Sequence, residues 1–430
     1  MRFALLMPGT GHFYCGSCLR DDWLGKALRA RGHEVTVVPL YLPLVLEDAA
    51  SDDAVHMGGI NMFLQQKSRA ARWLPRWFAN WLDRPGLLRW ASRRSRMTAA
   101  PELGPMTVSM LRGEHGRQAA ELEKLVGWME GQERPDVVLL SNAMLGGVAS
   151  RLKRSLDVPI VCTLQGEAPF LNSLPAPHGD EAWEALAKAA EAVDAFVPVS
   201  RTYGDVVATR LALDSARVHP ILNGIELGDF EDAPPPLVDR EPPTIGYLAR
   251  LCDDKGLSLL VDAFIELKRK DVVPGLRLRV AGVVLAEDRE GVARARSRLD
   301  GAGLGDSFDV LPNISRVDKL AFLRSLSVLS VPALYGESFG LYLIEAMASG
   351  VPVVQPRCGP FPEIVDATGG GVLCEPDARS LADSLGSLLT DPARAQALAD
   401  HGRQSVHEQF TSDRMAREIE DLCRMIARRG

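Results

Sequence analysis

The sequence predicts an α/β protein with two parallel β-sheets, each covered by helices on both faces. Short runs of Val, Ile and Leu alternate with longer helical patterns along almost the whole chain. Runs without interrupting polar residues are typical of parallel strands that are buried on both faces. The length of 430 residues exceeds what one core ordinarily organises, so two domains of about 200 residues each are expected.

The apolar runs form two series. The first predicts an opening strand within residues 1–8 and then strands at Glu34–Leu40, Asp136–Leu140, Val158–Leu164 and Ala195–Val199. The second predicts strands at Thr244–Leu248, Leu276–Ala281, Val328–Val331 and Val351–Gln355. The opening run is too short for a secretory signal and is better explained as a buried first strand.

A turn and a group of prolines mark the boundary between the two series. Asn223-Gly224 is a strong turn dipeptide, and prolines cluster over residues 233–243. We therefore expect an N-terminal domain at 1–225 and a C-terminal domain at 226–406. Apolar residues at helical spacing over 407–430 predict a terminal helix, which we expect to join the first domain.

Composition limits the classes of function. The chain has 46% hydrophobic and 24% charged residues, as globular proteins do, and its net charge of −7 argues against nucleic acid as a partner. No apolar run reaches the roughly 20 residues that span a bilayer. The seven cysteines are scattered and odd in number, which favours a reducing compartment and a cytoplasmic protein.

Residues 67–96 depart from this charge balance. The segment holds nine basic residues and one acidic residue, so it carries +8 and leaves −15 for the remainder, and four of the seven tryptophans lie in it. Arginines interleaved with tryptophans could seat the protein on the inner face of an anionic membrane, or bind a phosphorylated or lipid-linked acceptor. A helical hairpin with its tryptophans in the core and its arginines in solvent is the alternative.

The most informative segment follows the predicted strand Val328–Val331. A short loop leads to Glu337, and the helix that follows contains Glu345, about two turns in. The start of such a helix offers unpaired N–H groups and a partial positive charge to a phosphate. Glu337 could accept hydrogen bonds from sugar hydroxyls, and Glu345 could bind a ribose diol. Two solvated glutamates with ordinary capping roles are the alternative.

On these residues the sequence resembles the retaining GT-B glycosyltransferases of family four, whose hallmark is two glutamates separated by seven residues, as Glu337 and Glu345 are. The resemblance covers almost the entire chain and implies two Rossmann-like domains whose parallel sheets face a central cleft. It implies a hexosyltransferase that moves a sugar from a nucleotide-diphosphate sugar to a hydroxyl acceptor with retention, without metal or other cofactor. The acceptor would be a glycan, a lipid-linked molecule or a small molecule, and it would bind the first domain.

The resemblance also assigns site residues. Arg250 and Lys255 match the family's diphosphate-binding cations, and two cations on one loop could neutralise a leaving diphosphate. With Glu337 on the donor sugar, they form the predicted catalytic set. The remaining donor-binding candidates are Gly16 in a glycine-rich loop near the phosphates, Ser315 at the nucleobase through its backbone, Ser338, Phe339, Gly340 and Leu341 at the helix start, and Glu345.

Other positions leave alternatives open. Many relatives carry a histidine or an acidic residue after the strand equivalent to Val158–Leu164, whereas this chain has, near the usual histidine position, Gln165, which can donate a hydrogen bond but cannot titrate. Glu167 either orients the acceptor or is only a surface acid. The spacing of His12, Cys15 and Cys18 could supply three metal ligands or a reversible disulfide, but no second ligand pair lies nearby, and no two aspartates are separated by one residue.

These observations predict a site without metal. A nucleotide-sugar epimerase or a phosphorylase on the same fold is an alternative function. A non-catalytic subunit that binds a sugar nucleotide is a second alternative, although the joint presence of Arg250, Lys255, Glu337 and Glu345 argues against a decayed site.

Overall fold

The computed structural model describes residues 1–9, 16–41, 57, 66 and 100–428. The chain divides into two compact units. Unit 1 consists of Met1–Leu222 and Met415–Gly430, and unit 2 consists of Asn223–Arg414, where the sequence analysis expected 226–406 for the second domain. Each unit is built on one parallel sheet, so the predicted α/β fold with two parallel sheets is confirmed.

In the residues that the structure describes, unit 1 contains five parallel strands. They are β1 (Arg2–Met7), β2 (Glu34–Pro39), β3 (Val137–Leu140), β4 (Ile160–Leu164) and β5 (Ala195–Pro198). The helices of this described part include α1 (Gly16–Ala30), α2 (Ala100–Leu111), α3 (Ala119–Glu130), α4 (Ala149–Leu156), α5 (Glu167–Ser173), α6 (His178–Ala190) and α7 (Arg201–Leu211). The strand order is β2-β1-β3-β4-β5, and the three inner strands are buried along nearly their whole length.

Unit 2 contains six parallel strands. They are β6 (Thr244–Leu248), β7 (Arg277–Gly282), β8 (Phe308–Pro312), β9 (Val328–Leu329), β10 (Val353–Pro356) and β11 (Gly371–Cys374). The helices are α8 (Leu257–Lys270), α9 (Arg289–Gly301), α10 (Arg316–Arg324), α11 (Leu341–Ala348), α12 (Phe361–Thr368), α13 (Ala378–Leu389) and α14 (Pro392–Gln409). The strand order is β11-β10-β9-β6-β7-β8.

The predicted strands are confirmed, with ends that move by at most two residues. Two further strands, β8 and β11, were not predicted. Both lie at the edges of the unit 2 sheet, where most of their residues are partly exposed. Such strands lack the continuous apolar run that identifies a strand buried on both faces.

The terminal helix is present but shorter than the predicted range 407–430. The chain forms α14, which ends at Gln409, and then α15 (Ser412–Ala427). Phe410 between them has φ −117° and ψ 40°, and its buried ring lies 6.5 Å from that of Phe339. The helix is interrupted where the Phe410 carbonyl accepts the Ile225 N–H at 2.9 Å and the Ser412 N–H donates to the Ile225 carbonyl at 2.9 Å. From Met415 onward the last helix belongs to unit 1, where its apolar side chains join the core around β1.

Some expectations concern residues that the structure does not describe. The basic segment 67–96 lies outside the described residues, as do His12 and Cys15. Within the described ranges, none of the helices combines the length and the apolar character that a membrane crossing needs.

Candidate functional site

A carboxylate just before α11 lies at the centre of a hydrogen-bond cluster in unit 2. The Glu337 side chain is 9% exposed, and both of its oxygens are used. Oε1 accepts hydrogen bonds from the backbone N–H groups of Ser338 at 3.1 Å and Phe339 at 3.3 Å. Oε2 accepts from the Lys255 ammonium at 2.9 Å and the Tyr342 hydroxyl at 2.8 Å. The structure thus brings two predicted catalytic residues, Lys255 and Glu337, into direct contact.

The strand order and two glycines explain this contact. Because β6 and β9 are neighbours, the loops after their carboxyl ends lie side by side. Gly256 has φ +76°, and a Cβ there would lie 2.1 Å from the Pro332 carbonyl oxygen, so a glycine is needed for the Lys255 loop to pack on the loop after β9. Gly340, the N-cap of α11, has φ +90°, and its Cβ would lie 3.2 Å from the Tyr342 ring. These close approaches place the backbone segments that carry Lys255 and Tyr342 beside Glu337.

Burial and charge shift the pKa values of Glu337 and Lys255 in opposite directions. Burial raises the pKa of the Glu337 carboxyl, but the Lys255 ammonium, the Tyr342 hydroxyl and the Phe339 N–H outweigh it and hold that pKa below its ordinary value. Burial also lowers the pKa of Lys255, and the charge of Glu337 reverses this, so the pKa is raised. The site therefore holds one fixed anion and one cation near neutral pH.

Arg250, the third predicted catalytic residue, follows β6 on the same loop as Lys255. Its Nε donates to Asp288 at 2.8 Å, and its Nη2 donates to Glu287 at 2.9 Å. Both acids follow β7, the other neighbour of β6 in the sheet. The Arg250 side chain remains 40% exposed, so a second anion can still reach part of the guanidinium.

Glu345, the predicted ribose-binding residue, lies on α11 little more than one turn from its start, closer than the two turns expected from the sequence. It is 5% exposed, and its Oε1 accepts a hydrogen bond from Lys319 at 2.8 Å. Among the described residues, no donor is bonded to its Oε2. Because Lys319 lies on α10, this ion pair ties α10 to α11.

The remaining donor-binding candidates occupy helix starts. Ser315 is the N-cap of α10, where its hydroxyl accepts the Asp318 N–H at 3.2 Å and donates to the Asp318 carboxylate at 2.7 Å. The predicted nucleobase contact therefore depends on its backbone. Leu341 is the first residue of α11. Gly16 is the first residue of α1 rather than part of the preceding loop.

Glu167, an acceptor-side candidate, is 3% exposed, so the alternative of a surface acid is wrong. Its Oε1 accepts the Ala143 N–H at 2.9 Å, and its Oε2 accepts the Gly166 N–H at 3.0 Å and the Tyr203 hydroxyl at 2.9 Å. The Gln165 N–H lies 3.2 and 3.0 Å from the two oxygens. The carboxylate therefore holds the turn from β4 into α5.

The Gln165 side chain joins a second buried cluster in unit 1. Its Nε2 donates to the Ser141 carbonyl oxygen and lies 3.3 Å from Asp21 Oδ2. Asp21 is fully buried and also accepts from the Ser141 hydroxyl and from Arg20 at 2.6 Å. Burial raises the pKa of Asp21, against the opposing effects of Arg20 and the hydrogen bonds. Because β1, β3 and β4 are neighbours, the groups that follow them meet at one edge of the sheet.

Sequence reasoning missed the partners of these groups. They are Tyr342, Lys319, Asp288, Tyr203, Asp21 and Ser141. In the sequence each resembles an ordinary core or helix residue. Their position after a strand could have identified two of them. Ser141 directly follows β3 and Asp288 follows β7, and the loops after the strands of a parallel sheet form binding sites.

Two family models match consecutive parts of the chain. The model described as Glycosyltransferase Family 4 matches residues 92–229, and the model described as Glycosyl transferases group 1 matches residues 229–405. Their junction lies close to the start of unit 2 at Asn223. The second match contains Arg250, Lys255, Glu337 and Glu345.

Two related proteins match over longer stretches. D-inositol 3-phosphate glycosyltransferase from Xylanimonas cellulosilytica is 29% identical over 324 residues, which cover 70% of this chain and 73% of that protein. Glycogen synthase from Mycobacterium tuberculosis is 28% identical over 297 residues, which cover 64% of this chain. This chain therefore covers 66% of the length of that synthase.

Solved structures share the fold over the full chain. Sucrose-phosphate synthase from Thermosynechococcus elongatus superposes with a TM-score of 0.73 at 20% identity, with 100% of both chains covered. Anabaena HepE in complex with UDP-glucose gives a TM-score of 0.67 at 16% identity, with 98% of this chain and 99% of that chain covered. The fold is that of the GT-B glycosyltransferases, and the family models and relatives support sugar transfer.

Proposed function

We propose that this chain is a retaining, metal-independent hexosyltransferase that uses a nucleoside-diphosphate sugar. The observation that carries the proposal is the Lys255–Glu337 pair at the start of α11, with Arg250 on the same loop as Lys255. Two cations suit a diphosphate, and a buried carboxylate beside them suits sugar hydroxyls. The acceptor is a hydroxyl of a glycan, a lipid-linked molecule or a small molecule.

Transfer with retention in such a site requires charge stabilisation more than a protein nucleophile. The acceptor hydroxyl attacks the anomeric carbon on the face that the diphosphate leaves, and the leaving diphosphate takes the acceptor proton. Arg250 and Lys255 stabilise the charge that develops on the diphosphate, while Glu337 and Glu345 hold the sugar and the ribose in the geometry that the attack needs.

A panel of ligands tests the donor class. It contains UDP, GDP and ADP and the glucose and mannose conjugates of each nucleotide. A bound donor should stabilise the protein by roughly 2.7 kcal/mol at a hundred times its dissociation constant, which a thermal-shift assay detects. Transfer should continue in excess EDTA, and NMR of the product should show the anomeric configuration of the donor. Release of nucleotide without an acceptor, together with an isomerised sugar, would instead indicate an epimerase.

Membrane contact through residues 67–96 belongs to the same proposal, because nine basic residues and four tryptophans suit an anionic surface. Sedimentation with vesicles that contain anionic lipid, at low salt, tests this contact. Protein that stays in the supernatant would exclude it.

A further inference from the structure

The hydrogen bonds of Glu337 leave no acceptor site for a sugar hydroxyl. A carboxylate offers about four acceptor sites on its two oxygens. In Glu337 two are filled by backbone N–H groups, and two are filled by the Lys255 ammonium and the Tyr342 hydroxyl. If Glu337 holds the donor sugar, as the proposed function requires, one of these four donors has to leave.

Lys255 is the donor that can leave. The two N–H groups are fixed by the turn into α11, and Tyr342 is buried on α11 with its ring against Gly340. The Lys255 side chain is 29% exposed, and its long stem lets the ammonium move as a point charge. A diphosphate carries more negative charge than a carboxylate, so a diphosphate beside the loop draws the ammonium away and frees one site on Oε2 of Glu337.

We propose that Tyr342 is a positioning residue that keeps the Glu337 carboxylate aimed at the donor sugar after Lys255 turns to the diphosphate. This inference rests on the proposed function, because it assigns Glu337 to the sugar. Once the ammonium has moved, the Tyr342 hydroxyl is the remaining side-chain donor of the cluster on Oε2. As a neutral group it orients the carboxylate without cancelling its charge, so the free site stays a strong acceptor.

The protonation state of the tyrosine fits this role. Burial, followed by the charge of Glu337, raises the pKa of Tyr342 well above its ordinary value. The phenol therefore keeps its proton and acts as a hydrogen-bond donor at neutral pH. The close approach of its ring to Gly340 restricts other positions of the hydroxyl.

The test compares a nucleotide with and without its sugar. Calorimetry measures the Kd of UDP and of UDP-glucose for the wild type and for Tyr342→Phe. If the ligand panel identifies GDP or ADP as the nucleotide, that nucleotide and its sugar conjugate replace UDP and UDP-glucose. UDP lacks the sugar that Glu337 would hold, so we expect its Kd to change less than about twofold. The Kd of UDP-glucose should rise about tenfold, which corresponds to the loss of one hydrogen bond to a charged group.

Tyr203→Phe is the matched control. It removes a hydrogen bond of the same kind, from a buried tyrosine hydroxyl to Glu167 at 2.9 Å, but in unit 1. We expect this variant to lose a similar amount of thermal stability and to keep the wild-type ratio of the two Kd values. Equal weakening of both ligands by Tyr342→Phe, or no change in either, would overturn the positioning role.

Further measurements separate a failure of this inference from a failure of the proposed function. If Tyr342→Phe does not fold, Glu337→Gln supplies the second measurement, and an equal loss of UDP and UDP-glucose binding in that variant would contradict the inference. A wild-type protein that binds none of the UDP, GDP or ADP ligands refutes the proposed function itself, together with this inference. Wild-type binding with an unchanged ratio in Tyr342→Phe refutes only the role of Tyr342.

Discussion

Units 1 and 2 each contain a buried glutamate that is held in nearly the same way. Glu167 and Glu337 both follow a parallel strand near the start of a helix, and both accept hydrogen bonds from backbone N–H groups and from one tyrosine hydroxyl. In each case a glycine with positive φ is the helix N-cap, Gly166 at 122° and Gly340 at 90°. The two turns therefore use the same local chemistry.

The two clusters differ in one group. Lys255 adds a positive charge at Glu337, whereas no cation of the described chain is paired with Glu167. The donors around Glu167 belong to the backbone or to a buried tyrosine, so none can leave without disrupting the turn. A lysine on a partly exposed stem can exchange one anion for another. The difference separates a carboxylate that holds its own turn, Glu167, from one whose lysine partner can turn to another anion, Glu337.

Removal of the lysine charge should have the largest effect. We expect Lys255→Ala to lower turnover by about 10²–10³-fold, the usual cost of losing one group that stabilises developing charge, with the fold retained. Lys270→Ala, which removes another lysine of the same loop–helix segment, is the control and should keep wild-type activity. Near-normal turnover of Lys255→Ala would refute the catalytic assignment.

The lysine also determines how stability depends on pH. Because the folded pKa of Glu337 is depressed, its contribution is present above the unfolded pKa and is lost as pH falls through the folded pKa. In Lys255→Met the largest group that opposes burial is gone, and only the Tyr342 hydroxyl and the Phe339 N–H still lower that pKa, so the pKa rises. Near neutral pH, the free energy of unfolding of the variant should be about 2–3 kcal/mol smaller than that of the wild type. Breaking a fully buried ion pair usually costs about 3–5 kcal/mol, and the cost here is smaller because the Lys255 side chain is partly exposed.

This destabilisation should shrink as the medium is acidified toward about pH 4, where the unpaired carboxyl of the variant becomes protonated. Thermal midpoints of both proteins across this range measure the difference. A gap that stays constant or widens on acidification would show that Lys255 does not control the charge of Glu337.

A change at Glu167 should affect stability and leave nucleotide binding intact. In Glu167→Gln an amide NH₂ replaces one of the two carboxylate oxygens. The donors that bonded to that oxygen lose their acceptor, and leaving buried donors unsatisfied costs about 2 kcal/mol. The thermal midpoint of the protein should fall by a few degrees, with an unchanged Kd for UDP. Weaker UDP binding in this variant would contradict the distinction between the two glutamates.

The two glycines provide the smallest and most closely matched comparison. Gly166→Ala and Gly340→Ala each force a side chain into positive φ, at a cost of about 1–2 kcal/mol. Both variants should show similar small decreases in thermal midpoint. Only Gly340→Ala should weaken UDP-glucose more than UDP, because its Cβ would press on the Tyr342 ring. Equal effects of the two variants on UDP-glucose binding would argue against a role for the Gly340 turn.

Much of the fold could be predicted because its signals are local. Continuous apolar runs identify β1, β3, β4 and β6, since strands buried on both faces need apolar residues at every position. The partly exposed edge strands β8 and β11 lack that pattern and were missed. The terminal helix was predicted as continuous because helical spacing continues through Phe410, whereas backbone pairing with the distant Ile225 interrupts the helix.

The sequence by itself determined the succession of strands and helices, the approximate boundary between the units, and the position of Glu337 before a helix that follows a strand. Tertiary structure alone decided the partners. Lys255 meets Glu337 because β6 and β9 are neighbours in the sheet, although 82 positions separate the two residues. Glu167 meets Ala143 because β3 and β4 are neighbours. Strand order is set by how the apolar faces pack, and the short-range patterns of a single chain do not record it.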